Sequence, residues 1–164
     1  MSSDYPLEEL VKIKQKRFEQ AVKLIEEKKT ALKRENDILK NLEDDRNKVF
    51  KHKEDKLQQL RDALDSGERT DKIRQKKDYL EVVKENLKEK DKKVANQLKN
   101  VKEAENDLEK ARQNLLEKQK DIEKLNIHRK EWEKEMKFVE AHKQENLEDE
   151  IGSVKHIIKK KKGN

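Results

Sequence analysis

Apolar side chains recur at every seventh position along most of this chain. Val11, Phe18, Ile25, Leu32 and Leu39 form a first ladder, with Leu7, Ala21, Leu42 and Val49 as companions. Ile73, Leu80, Leu87, Val94, Val101, Leu108, Leu115 and Ile122 form a second, accompanied by Val83, Ala104, Ala111, Leu125, Trp132 and Val139. A strict seven-residue repeat keeps one stripe of an α-helix turned toward a partner helix and imposes a left-handed supercoil. Chance rarely places a branched apolar residue at the same heptad position eight times in succession. Beyond Arg46 the first ladder shifts to Phe50, Leu57 and Leu64, which reads as a four-residue stutter.

The run Asp65-Ser66-Gly67-Glu68-Arg69-Thr70-Asp71 separates the ladders. Gly67 suits the left-handed conformation that ends a helix, and Thr70 suits a cap, with Asp71 in the next first turn. Asp4 and Pro6 fit a helix start, and Gly152-Ser153 marks a break. These signals predict one domain over 1–164. Helix one covers about 5–65 and a turn about 66–69. Helix two covers about 70–150, roughly 120 Å long, and a mobile basic tail follows over about 152–164.

A short turn between long helices makes them antiparallel neighbours. The fold class is therefore all-α: a long antiparallel two-helix coiled-coil hairpin with an overhanging C-terminal helix. Core positions face each other when their numbers sum to about 136. Val11 then meets Leu125, Phe18 meets Lys118, Ile25 meets Ala111 and Leu42 meets Val94. Large side chains oppose small ones, or a Lys whose stem covers them. One layer fits badly, with Arg46 facing Lys90, and the shaft is expected to be loosest there.

Composition narrows the function. Charged residues are 49% of the chain and hydrophobic ones 30%, too few apolar groups for a compact core. Lys159–Lys162 carry four of the net +6 charges, and the remainder is nearly balanced. A balanced shaft lacks the basic face of a nucleic-acid-binding rod, so nucleic acid is not an expected partner. No cysteine is present, and His52, His128, His142 and His156 lack the spacing of helical metal ligands. No glycine-rich phosphate loop occurs, and a bare rod has no pocket in which to tune a pKa. The expectation is a non-enzyme without cofactor or metal. No apolar run reaches the length of a membrane span and no signal-peptide pattern is seen, so a cytoplasmic location is the default.

What remains is binding through exposed apolar side chains. Position 132 faces position 4, where helix one begins. Trp132, Met136 and Val139 continue the ladder past that point, with Phe138 beside it. A protruding helix with such a stripe is a ligand for a partner's groove. Two other readings stand beside it: Tyr5 and Pro6 fold over Trp132, or two copies pair. Toward the turn, Phe50 and Tyr79 are a second candidate pair. Phe50 reads equally as a core residue and Tyr79 as a rim residue.

The order of several short segments resembles the YscO/FliJ family of bacterial type III secretion and flagellar export proteins, its YscO-like injectisome branch most closely. These segments are Tyr5-Pro6-Leu7-Glu8, Gln59-Leu60-Arg61-Asp62 and Tyr79-Leu80-Glu81-Val82-Val83. His128-Arg129-Lys130-Glu131-Trp132 and Asp149-Glu150-Ile151-Gly152 complete the set. The resemblance implies a bacterial cytoplasmic stalk, peripheral at the base of a secretion apparatus. Its implied partners are the secretion ATPase, the export gate protein and secretion chaperones. The end bearing both termini would enter the ATPase ring, and the shaft and tip would serve the gate and the chaperones. The rival reading is a generic scaffold coiled coil acting as a spacer.

Overall fold

The computed structural model describes residues 4–163. The expected domain of 1–164 thus begins and ends with residues outside the described ones. Two helices account for nearly all of the rest: α1, Glu8–Asp65, and α2, Thr70–Lys162. They pack together as an antiparallel hairpin with no strand among the described residues. The chain forms two compact units, one of residues 21–114 and one of residues 1–20 with 115–164.

The turn belongs to the unit of residues 21–114. Gly67 has φ of 69°. The Glu68 amide donates to the Ala63 carbonyl (3.0 Å) and the Gly67 amide to the Leu64 carbonyl (3.3 Å). That pair of bonds is a Schellman cap, which satisfies the last carbonyls of α1 and requires a left-handed residue where Gly67 stands. The start of α2 differs from expectation by one residue. The Ile73 amide donates to the Arg69 carbonyl (3.0 Å), so Arg69 occupies the capping position and Thr70 lies inside the helix. Asp71 sits in the first turn as expected and pairs with Arg69 at 3.4 Å.

Buried positions in this unit follow the heptads. Ala21, Ile25, Leu60, Ala63, Leu80, Val83, Leu87, Val101, Leu108 and Ala111 form its apolar core. The expected stutter is absent. Buried and half-buried positions of α1 include Leu39, Leu42, Arg46, Val49, Lys53, Lys56, Leu60 and Ala63, alternating steps of three and four, and Leu57 beside Lys56 is half-buried as well. The repeat therefore passes unbroken through three charged residues. Phe50 and Leu64 lie outside the seam, 38% and 50% exposed. Holding the register keeps both helices regular, and Arg and Lys stems cover the seam while their charges reach water. Nor does Arg46 simply confront Lys90: its Nε donates to Asp91 Oδ1 at 2.8 Å.

A buried polar residue interrupts the second ladder's companions. Gln97, 6% exposed, donates from Nε2 to the Glu35 backbone carbonyl (2.9 Å) and to the Glu35 carboxylate. Asn100 donates in turn to Gln97 Oε1 (3.2 Å). With these partners Gln97 satisfies the rule that a buried amide must be hydrogen-bonded.

In the other unit, Tyr5 and Val11 are buried, and Leu7, Phe18, Leu115, Ile122 and Leu125 are half-buried. Lys14 reaches Asp121 at 3.2 Å. The numbers of that pair sum to one below 136, and those of Arg46 and Asp91 to one above, so both units keep the expected register. α1 begins at Glu8 rather than near residue 5. Pro6 instead occupies the second position of a turn closed by the Glu8 amide donating to the Tyr5 carbonyl (3.1 Å). At the other end, α2 continues through Gly152 and Ser153 to Lys162. The expected break is absent because one interior glycine costs only about 1 kcal/mol, too little to end so long a helix. The tail expected over 152–164 is helical to Lys162, and its last residue lies outside the described ones.

Candidate functional site

The aromatic cluster beside the N-terminus is built by the turn at Pro6. That turn lifts Tyr5 out of the line of α1 and lays its ring against α2. The ring meets Trp132 edge-on, centroids 5.4 Å apart, and lies 5.8 Å from the His128 ring. The Tyr5 hydroxyl and His128 Nδ1 share a hydrogen bond of 2.6 Å. The Arg129 guanidinium sits 5.0 Å from the Tyr5 ring centroid and forms an ion pair with Glu8. Tyr5 is 7% exposed as a result.

Trp132 is therefore not bare. Tyr5 covers part of it, while Pro6 stays exposed, so half of the expected cover is realised. Trp132 and Met136 are half-buried. Phe138 is 73% exposed and Val139 42% exposed, and the Phe138 ring stacks parallel to His142 at 6.3 Å. The four side chains grade from covered to open along one stretch of α2. Every residue from Lys137 to Gly163 is exposed. Large apolar groups left open beside a fixed aromatic base are what a partner's groove can take up.

The second candidate pair lies in the unit of residues 21–114. Phe50 is flanked by Arg46 and Lys53, each cation 5.0 Å from the ring centroid. Tyr79 is 46% exposed, its hydroxyl 2.9 Å from His52 Nε2, and Lys56 lies 5.4 Å from its ring centroid. Tyr79, Lys56, Glu68 and Lys76 line a crevice of about 300 Å³, inside which Lys76 donates to Glu68 (2.5 Å). Both rings sit on the rim of the seam under cationic side chains. The reading of Phe50 as a core residue is replaced by a rim position, and Tyr79 is on the rim as that alternative held.

Sequence reasoning passed over the stretch beyond Gly152 because it expected the helix to end there. The spacing of Leu147, Ile151, Val154 and Ile158 was the available signal. Among the described residues no group of His, Asp and Glu is placed to hold a metal ion. No helix among them is long and apolar enough to cross a membrane.

Comparison with known proteins bears on this arrangement. No curated protein sequence matches the chain. The solved structure of a protein described as a YscO homolog, from Chlamydia trachomatis, superimposes with a TM-score of 0.93 at 38% identity. The alignment covers 97% of this chain and 98% of that one. The family model for YscO-like proteins matches residues 2–162. With a whole-length family match and a whole-length structural match agreeing, this chain belongs to the YscO-like family of type III secretion-associated proteins.

Proposed function

We propose that the protein is a non-enzymatic stalk and adaptor of type III secretion that couples the secretion ATPase to the export gate and handles substrate chaperones. The ATPase-facing surface is the continuation of the Trp132 cluster on α2: half-buried Met136 and exposed Phe138 and Val139. The gate- and chaperone-facing surface lies in the turn-bearing unit, around Phe50 and Tyr79. The mechanism is energetic coupling. A rod bound within an ATPase ring favours some subunit states over others by its differential affinity for them, and the ring's state then biases the rod in return.

The observation that carries this reading is the gradient of exposure from Trp132 to Phe138. Tyr5 and Arg129 hold one end rigid, and the apolar surface beyond it is left open by the described residues. Anchors of this kind, aromatic and pre-ordered, account for most of the affinity at protein interfaces. The test is titration of the full chain against the secretion ATPase of the same system. Phe138→Ala with Val139→Ala should weaken binding at least tenfold, about 1.4 kcal/mol or more, and leave helix content and melting unchanged. Phe50→Ala with Tyr79→Ala should leave ATPase affinity intact and reduce binding of the gate protein. Unchanged ATPase affinity in the first double variant would remove the assignment of this surface.

A further inference from the structure

The final turns of α2 carry a second apolar stripe, separate from the Trp132 cluster. Leu147, Ile151, Val154 and Ile158 are 57, 52, 54 and 49% exposed. Steps of four, three and four residues align them on one face of the helix. Residues 137–163 are exposed throughout, so the stripe has no partner among the described residues.

Two regularities say what covers it. The first is that the stripe reads the same from either end. Two copies laid antiparallel about a two-fold axis between Gly152 and Ser153 set Leu147 opposite Ile158 and Ile151 opposite Val154. Each apolar side chain then meets another, and the contact closes on itself as an isologous pair. The second is the distribution of charge. Residues 145–150 hold Glu145, Glu148, Asp149 and Glu150 with no basic residue; residues 155–162 hold Lys155 and Lys159–Lys162 with no acidic one. Antiparallel pairing lays the acidic half of each copy on the basic half of the other, and parallel pairing would stack like on like. Glu148 and Lys155 flank the stripe on the same side, where antiparallel helices bring flanking residues of the two copies together.

We propose that residues 147–158 are a self-pairing surface through which two copies of this chain associate as a short antiparallel coiled coil. An anionic membrane is the competing occupant. The lysines would suit it, but Glu148 and Glu150 border the stripe and would be pressed against like-charged headgroups. Three turns of helix make a contact below the usual size of a stable interface, so the dimer is weak. Its dissociation constant is expected at about 10–100 µM, rising with salt as the charge pairing is screened.

The absence of cysteine allows introduced thiols to report the geometry. Full-length chains carrying Leu147→Cys and Ile158→Cys, mixed and oxidised, should form the mixed disulfide in preference to either like-with-like product. Sedimentation should show monomer near 1 µM and dimer well above 100 µM, estimates set by that affinity range. Ile151→Glu with Val154→Glu should abolish dimer formation, while circular dichroism confirms that the helices remain. Glu148→Lys should weaken the dimer severalfold, and adding Lys155→Glu should restore it. Monomer at every concentration, or preferred like-with-like disulfides, would overturn the proposal. So would a chain that stays monomeric yet binds vesicles containing phosphatidylglycerol through Ile151 and Val154. None of these variants touches Phe138 or Val139, so loss of self-pairing and loss of ATPase binding are separable results.

Discussion

Tyr5 fixes the packing at the start of the chain. Its ring fills the position opposite Trp132, its hydroxyl reaches His128, and Arg129 closes over it. Trp132 was legible in the sequence as a member of a ladder, and Tyr5 together with Pro6 as one possible cover for it. That Tyr5 alone of the two would be buried was not legible. It depends on the turn from Tyr5 to Glu8, which a helix starting near residue 5 would have erased. The His128 contact joins residues far apart in sequence and requires the register to be right at both. Tyr5→Ala should therefore uncover the indole of Trp132, the only tryptophan. Its fluorescence should shift to the red and become more accessible to acrylamide, with helix content nearly unchanged. Tyr5→Phe keeps the ring and loses only a hydrogen bond, worth about 1 kcal/mol, so its emission should stay close to that of the wild type. An unshifted spectrum in Tyr5→Ala would mean that the ring does not shield Trp132.

Between residues 46 and 63, α1 shows what an apolar pattern can and cannot reveal. Both ladders were readable because branched residues mark them. Where Arg46, Lys53 and Lys56 take the seam positions, the nearest apolar residues, Phe50, Leu57 and Leu64, drew the pattern onto a neighbouring face, of which only Leu57 is half-buried. Charge at a heptad position is invisible to a hydrophobic count, yet a long stem can fill the same groove. Gln97 escaped notice for the same reason. The end of α2 was misplaced by a different error, since Gly152 was read as a stop, whereas the helix runs through it to Lys162. The register in α1 has a direct test. Leu60 is 8% exposed and Leu64 50%. Leu60→Ala should cost about 2–4 kcal/mol in urea unfolding, and Leu64→Ala less than about 1 kcal/mol. The reverse order would restore the stutter and move Leu64 into the seam.

At the scale of the whole molecule, a core one layer wide means that no side chain among the described residues falls below 2% exposure. Stability is then the sum of many modest layers, each felt mainly by its neighbours, and much apolar surface stays free for partners. Such a chain should respond to a staple locally. Ile25 and Ala111 are both buried, at 8% and 4% exposure, and the register sets them opposite each other within one unit. The double variant Ile25→Cys with Ala111→Cys should oxidise to an intramolecular disulfide in dilute solution. Closing so long a loop removes denatured-state entropy worth up to about 4 kcal/mol, less any strain in the bridge. Amide hydrogen exchange should slow between residues 25 and 111. From Lys137 to Gly163 it should remain at the wild-type rate, because those residues are exposed among the described residues and only their helical bonds protect them. Intermolecular bridges alone would show that the helices of different chains, not of one, form the seam. Slower exchange extending to residue 163 would show a cooperativity that a seam built of independent layers does not have.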